Sequence, residues 1–137
     1  MNGYLLDTNI CIYFIKVLYE LNKNITKIGI ENCYISEITI AELKFGIENS
    51  KSSHKSNNRK VIESFINSVK VVPIISCLDL YAREKVRLRK VGKVVDDFDL
   101  LIGASAIINN LILVTRNESH FNNLQNIKIE NWINENY

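Results

Sequence analysis

Read for its alternation of apolar and polar positions, the chain breaks into short apolar runs set between longer amphipathic stretches. Tyr4 to Leu6 is an apolar run closed by Asp7-Thr8-Asn9, the pattern of a buried strand feeding a helix start. From Ile10 to about Leu21, the residues Ile10, Phe14, Val17 and Leu21 share one helical face, while Ile12, Ile15 and Tyr19 form a second apolar stripe nearly opposite. A helix apolar on two sides is either deeply buried or meets a partner. Cys33 to Ser36 predicts a second strand, followed by a helix from Thr39 to about Glu48. The polar stretch 49–58, NSKSSHKSNN, predicts an exposed loop. Arg59 to Val69 is helical in pattern, and Val71-Val72 makes a short strand or extended link ending at Pro73. Leu78 to Val91 predicts a charged amphipathic helix stopped by Gly92. Asp97 to Ile108 predicts a strongly apolar helix with a patch of small residues, Gly103-Ala104-Ser105-Ala106. Leu111 to Thr115 and Ile127 to Glu130 are the last strands. Strands alternating with helices point to an α/β fold with a largely parallel sheet. The chain has 137 residues and no internal repeat, which predicts one domain, 1–137.

Composition changes this picture little. The net charge of +2 is too small to argue for a nucleic-acid partner, so that argument must come from a site. Cys11, Cys33 and Cys77 are far apart and odd in number, and His54 and His120 are isolated, so neither a zinc site nor a disulfide framework is expected. Free thiols suit a reducing, cytoplasmic compartment. The opening MNGYLLDTNI has no basic region and its apolar run is cut by Asp7, so neither a signal peptide nor a membrane span is expected.

Chemistry enters through the acids. Asp7, Glu42 and Asp99 fall at strand ends or in first helical turns, with Asp96 and Asp97 beside the third and Asn117 just past the strand ending at Thr115. Each has a plain structural reading. Asp7 can cap the first helix, Thr39-Ile-Ala-Glu42 matches a capping box, Asp96 or Asp97 can cap the apolar helix, and Asn117 can be a turn residue. Taken together they ask for more. Parallel α/β sheets place their sites beyond the carboxyl ends of the strands. Carboxylates gathered there repel one another unless a counter-charge joins them. A divalent cation with hard oxygen ligands relieves that repulsion, and it can activate water against a phosphodiester.

Four blocks, LLDTNICIYFIK at 5–16, ITIAELKFGIE at 38–48, DFDLLIGASAI at 97–107 and LVTRNESHF at 113–121, resemble in order and spacing the signatures of VapC-type PIN domains. IKIENW at 127–132 is similar to that family's last strand. The resemblance implies a PIN-like three-layer α/β/α sandwich around a mostly parallel sheet. It implies a metal-dependent endoribonuclease, the toxin of a VapBC toxin–antitoxin pair, with tRNA as a family-based substrate. Asp7, Glu42 and Asp99 match the acids that hold Mg²⁺ or Mn²⁺, and Asn117 matches a fourth catalytic position that is Asp in many relatives. Glu118 is a candidate substitute there. Thr8 and Asn9 match the polar pair after the first acid and, with Thr115, are expected to position substrate. The implied partners are RNA, a VapB-type antitoxin and a second copy of the chain, in a higher assembly with the antitoxin.

Independently of the family, Ile12, Ile15, Tyr19 and Phe45 are candidates for a partner surface, unless 49–58 or the C-terminal segment covers them. Arg83, Lys85, Arg87, Arg89, Lys90 and Lys93 can hold a phosphate backbone or be a solvated helix face. His120 reads as a surface histidine. Two other functions stay open. One is a PIN-like binding module weakened in catalysis by Asn117. The other is an aspartyl-phosphate phosphatase, although Asp7-Thr8-Asn9 lacks the second Asp of its D-x-D motif.

Overall fold

The computed structural model describes residues 3–133. Five strands form one sheet: β1 (Tyr4–Leu6), β2 (Cys33–Ser36), β3 (Lys70–Val72), β4 (Ile112–Val114) and β5 (Ile129–Glu130). The order is β3-β2-β1-β4-β5, and every pairing is parallel. Alternation along the strands sends Leu6, Ile35 and Val114 to one face and Leu5, Tyr34 and Leu113 to the other. Helices α1 (Thr8–Ile15), α2 (Leu21–Ile28), α3 (Glu37–Glu48) and α4 (Ser52–Ser68) cover the first face through Ile10, Leu21, Ile25, Leu43 and Phe65. Helices α5 (Leu78–Lys90), α6 (Asp97–Ile108) and α7 (Glu118–Phe121) cover the second through Leu88, Leu100, Ile102 and Phe121. The result is the three-layer α/β/α sandwich with a parallel sheet. All three cysteines are buried and free. Among the described residues, no helix is long and apolar enough to cross a membrane.

Four expectations are corrected. The first helix does not run to Leu21. It stops at Ile15, and Val17, Tyr19 and Glu20 turn the chain with φ near +57° before α2 begins. The stretch 49–58 is not a loop. It is polar yet free of Gly and Pro, and most of it is the first two turns of α4. Helix α3 starts two residues earlier than expected, at Glu37, and its cap is Ser36, whose hydroxyl accepts from the Ile38 N–H at 3.0 Å. Thr39-Ile-Ala-Glu42 is therefore no capping box, and Glu42 is released for another task. Lastly, α2 and α7 had no counterpart in the sequence pattern.

The sheet order positions the site. From β1 the chain moves outward one way through β2 and β3, then crosses back to β4 on the other side of β1. Between the carboxyl ends of β1 and β4 the direction of winding reverses, and ligand crevices open at such points.

Candidate active site

Asp7 sits on the carboxyl end of β1, at this crevice. Its N–H continues the ladder to the Val114 carbonyl at 3.0 Å, while its side chain caps α1 by accepting from the Thr8 N–H at 2.8 Å. The other carboxylate oxygen accepts from the Thr115 hydroxyl at 2.8 Å, across the switch point. The Thr8 hydroxyl donates to Glu42 Oε1 at 2.6 Å and bonds with the Thr39 hydroxyl at 3.0 Å. This ties the start of α1 to the second turn of α3. Asp99 comes from the first turn of α6, oriented by Asp96, which caps that helix through the Phe98 N–H. Three acids distant in sequence thus come from β1, α3 and α6 into electrostatic reach of one another.

Their electrostatics agree with that placement. Burial raises the pKa of Asp7, and Asp99 raises it further, against the lowering effect of the Thr115 and Thr8 hydrogen bonds. Glu42 is raised by burial, with Asp7 and Asp96 adding to the effect. Asp99 is raised by burial, with Asp96 and Glu42 adding, and is partly offset by His120. The hydrogen-bond partners of the three acids are neutral threonine hydroxyls, a backbone N–H and an imidazole. Among the described residues, no three His, Cys, Asp or Glu side chains group so as to hold a metal ion by themselves. The donor set still fits a hard divalent cation. It is all oxygen and self-repelling, and such ions need one or two direct carboxylates, with water and substrate oxygens completing the shell.

The remaining candidates fall into place unevenly. Thr8 and Thr115 are buried with their hydroxyls committed to carboxylates, so they orient the acids and do not face substrate. Asn9 is exposed beside Thr8 and Glu42, where it can meet a ligand. Asn117 is joined to the site through its backbone N–H, which donates to Thr115 Oγ1 at 3.0 Å. Glu118 is exposed in the first turn of α7. Asp97 is engaged away from the crevice by Lys85 at 2.7 Å and the Tyr81 hydroxyl at 2.8 Å. Arg87 is likewise structural, holding buried Glu84 and the Asn123 carbonyl. Arg89 and Lys93 line a hollow beside Asp96 and Asp97.

His120 is a surface histidine, as its sequence reading has it, and it has one partner that reading did not give. Its ring is half-exposed, but Nδ1 lies 3.2 Å from Asp99 Oδ2. Nothing in the sequence spacing signals this, since the contact joins α7 to α6.

The partner candidates also separate. Ile12 and Ile15 pack partly on the core and line a hollow of about 360 Å³ with Leu43, Gly46, Val61 and Ile62. Part of α4 is thus the far wall of this groove, not a cover over it. A second hollow of about 670 Å³ shares Ile12, Glu42 and Gly46 with the first and adds Phe45 and Phe98 at its edge. Phe45 is 70% exposed, the behaviour of a contact residue. Tyr19 does not belong to the groove. The turn after α1 carries it to Tyr13, ring centroids 5.1 Å apart, and the Arg116 guanidinium stacks on both rings.

A parallel sandwich with acids at its switch point defines a class, and the family comparison agrees: the PIN domain model matches residues 4–126, and the chain belongs to that family. Within it, the chain falls with the VapC ribonucleases. It is 33% identical to Ribonuclease VapC2 of Rickettsia felis, over 94% of this chain and 97% of the relative. It is 30% identical to the tRNA(fMet)-specific endonuclease VapC of Salmonella typhimurium, over 96% and 99% respectively. The solved structure of VapBC2 from Rickettsia felis bound to a DNA fragment from their promoter superposes with a TM-score of 0.86. It covers 94% of this chain and 98% of that one, at 32% identity.

Proposed function

We propose that this chain is a Mg²⁺- or Mn²⁺-dependent endoribonuclease, the toxin of a VapBC pair, acting in the cytoplasm on RNA of the tRNA class. The observation that carries the reading is the gathering of Asp7, Glu42 and Asp99 at the switch point, all with pKa values raised by burial and by neighbouring acids. The relative specific for tRNA(fMet) supports the substrate class. Asp7, Glu42 and Asp99 would hold the cation. When bound, it supplies positive charge that acidifies an attacking water and stabilises the phosphodiester as negative charge develops. The chain's own part is preorganisation. Thr8 and Thr115 fix the carboxylates, so the site needs little rearrangement before reaction. Exposed Asn9 would donate to the substrate, and Arg89 and Lys93 would hold flanking phosphates.

The antitoxin would lay an amphipathic segment into the groove of Ile12, Ile15 and Phe45, and an Arg or Lys from it could neutralise the acids. The toxin would act as a homodimer, in a larger assembly with its antitoxin. The test is an RNA panel of tRNAs, messenger fragments and unstructured oligonucleotides, with Mg²⁺ or Mn²⁺ and an EDTA control. Metal-dependent cleavage concentrated in tRNA is expected. Undiminished cleavage in EDTA would refute the metal, and cleavage spread evenly over the panel would refute the tRNA class.

A further inference from the structure

We infer that Tyr13, Tyr19 and Arg116 form a stacking platform for an unpaired base of the RNA, beside the phosphodiester that the acids would address. The inference rests on the ribonuclease reading above and deepens it by placing a part of the substrate.

Three observations lead there. First, the cluster is built from both walls of the switch point. Arg116 stands between Thr115, whose hydroxyl binds Asp7, and Asn117, whose N–H donates to Thr115. Tyr13 is on α1, the helix that Asp7 caps. At about 1.5 Å per residue it lies roughly 9 Å beyond Asp7 along the helix axis, or about two to three stacked base steps. Asn9 is exposed and shares a helical face with Tyr13, so a strand leaving Asp7 along α1 would pass a polar donor before it reached the rings.

Second, the groups are those that recognise a base by its face. The guanidinium lies over the Tyr13 ring at 5.7 Å and over the Tyr19 ring at 5.3 Å, and it donates to both hydroxyls at 3.2 Å. The two rings meet edge to face, 5.1 Å apart at 74°. A cation fixed on two aromatic rings offers planar surface and positive charge together, and unpaired RNA bases stack on such planes. Tyr19 is 37% exposed, so part of this surface is open to solvent.

Third, the turn that brings Tyr19 there is strained. Tyr19 has φ +57°, with Val17 at +58° and Glu20 at +56° on either side. Glycine or asparagine adopts that conformation readily, and tyrosine does not. A residue that served only to finish the turn would be one of those two, and strain of this kind collects where ligands are held. The antitoxin is the competing occupant. The groove proposed for it runs along Ile12, Ile15 and Phe45 and leaves out Tyr19, so the rings are assigned to RNA.

The test uses the full chain with metal chelated, so that a strand is bound and not cut. Fluorescence anisotropy measures affinity for a short oligouridylate and for an abasic ribose-phosphate strand of the same length, which carries the same charge and no bases. Wild type is expected to bind the oligouridylate about tenfold more tightly than the abasic strand. Tyr19→Phe keeps the ring and should stay within about twofold of wild type on both strands. Tyr19→Asn removes the ring yet suits the left-handed backbone, so it should fold, which melting checks. It should lose most of the margin between the strands while holding the abasic strand as wild type does. Should it melt too low to assay, Arg116→Lys, which keeps the charge and loses the plane, is expected to lose the same margin. No margin in wild type, a margin that survives the substitution, or an equal loss on both strands overturns the platform and leaves the ribonuclease reading to the cleavage panel. Tyr19→Asn weakening the antitoxin while sparing the oligouridylate overturns it in favour of the antitoxin. Binding of neither strand overturns the platform, and together with an uncleaved RNA panel it overturns the ribonuclease reading as well.

Discussion

Asp7 does three things at one position: it ends a strand, caps a helix and faces the crevice. The first two were legible from Leu5-Leu6-Asp7-Thr8 as text. The third needed the sheet order, because Thr115, which fixes its second oxygen, is 108 residues away. The same holds for Thr8, whose hydroxyl serves Glu42 and not the substrate. Burial gives Asp7 a folded pKa above the ordinary aspartate value near 3.9. Over that interval the folded state binds more protons than the unfolded one, so stability falls as pH rises through it. Asp7→Asn removes this loss while keeping a capping oxygen. In the metal-free protein the variant should be as stable as wild type at pH 7 or better, by up to about 4 °C in Tm. That advantage should shrink to nothing as pH falls below the ordinary carboxylate range. Melting curves between pH 3 and pH 8 decide it, and a drop of several degrees at pH 7 would mean that the charged carboxylate stabilises the fold and is not held there at a cost.

At the scale of elements, helix ends were read well where the expected residue stood there and badly where it did not. Helices α1, α5 and α6 close with the same motif. The N–H of the left-handed residue reaches back three positions, and the next N–H reaches back five: Val17 to Phe14 and Leu18 to Tyr13, Gly92 to Arg89 and Lys93 to Leu88, Asn110 to Ile107 and Leu111 to Ala106. Gly92 and Asn110 suit the left-handed conformation, and α5 was accordingly seen to stop at Gly92. Val17, with φ +58°, does not suit it, so nothing in the text marked the end of α1. Val17 is 73% exposed and leaves no cavity if replaced. Val17→Asn should therefore stabilise the protein by about 1 kcal/mol, or roughly 2–4 °C in Tm. An unchanged or lower Tm would show that the turn is held by something other than backbone preference. Helix α4 failed for the opposite reason. Its first two turns are polar because they pack on nothing buried until Ile62 and Phe65. The ion pairs of Glu48 with Lys55 and Arg59 are exposed and add little, so the helix is held by its apolar second half.

For the molecule as a whole, the places of the strands along the chain followed from periodicity, with 71–72 open between strand and link; the order in the sheet did not, and the site lies where that order reverses the winding. Hidden from periodicity were the contacts between elements: His120 on Asp99, α4 as a groove wall, and Tyr19 turned away to Tyr13 and Arg116. The groove makes its own prediction. Phe45 is exposed, so Phe45→Asp should fold normally yet weaken antitoxin binding by about 2 kcal/mol, near thirtyfold. Calorimetric titration against the antitoxin measures this, and unchanged affinity would place the contact elsewhere. The central claim is that Asp7, Glu42 and Asp99 act as one metal-dependent ribonuclease centre. It is tested most directly by single-turnover cleavage of the preferred RNA at saturating Mg²⁺, comparing wild type with Asp7→Asn, Glu42→Gln and Asp99→Asn, each confirmed as folded. The account predicts that each variant loses about a hundredfold or more in rate. Any one of them cleaving within threefold of wild type would contradict it.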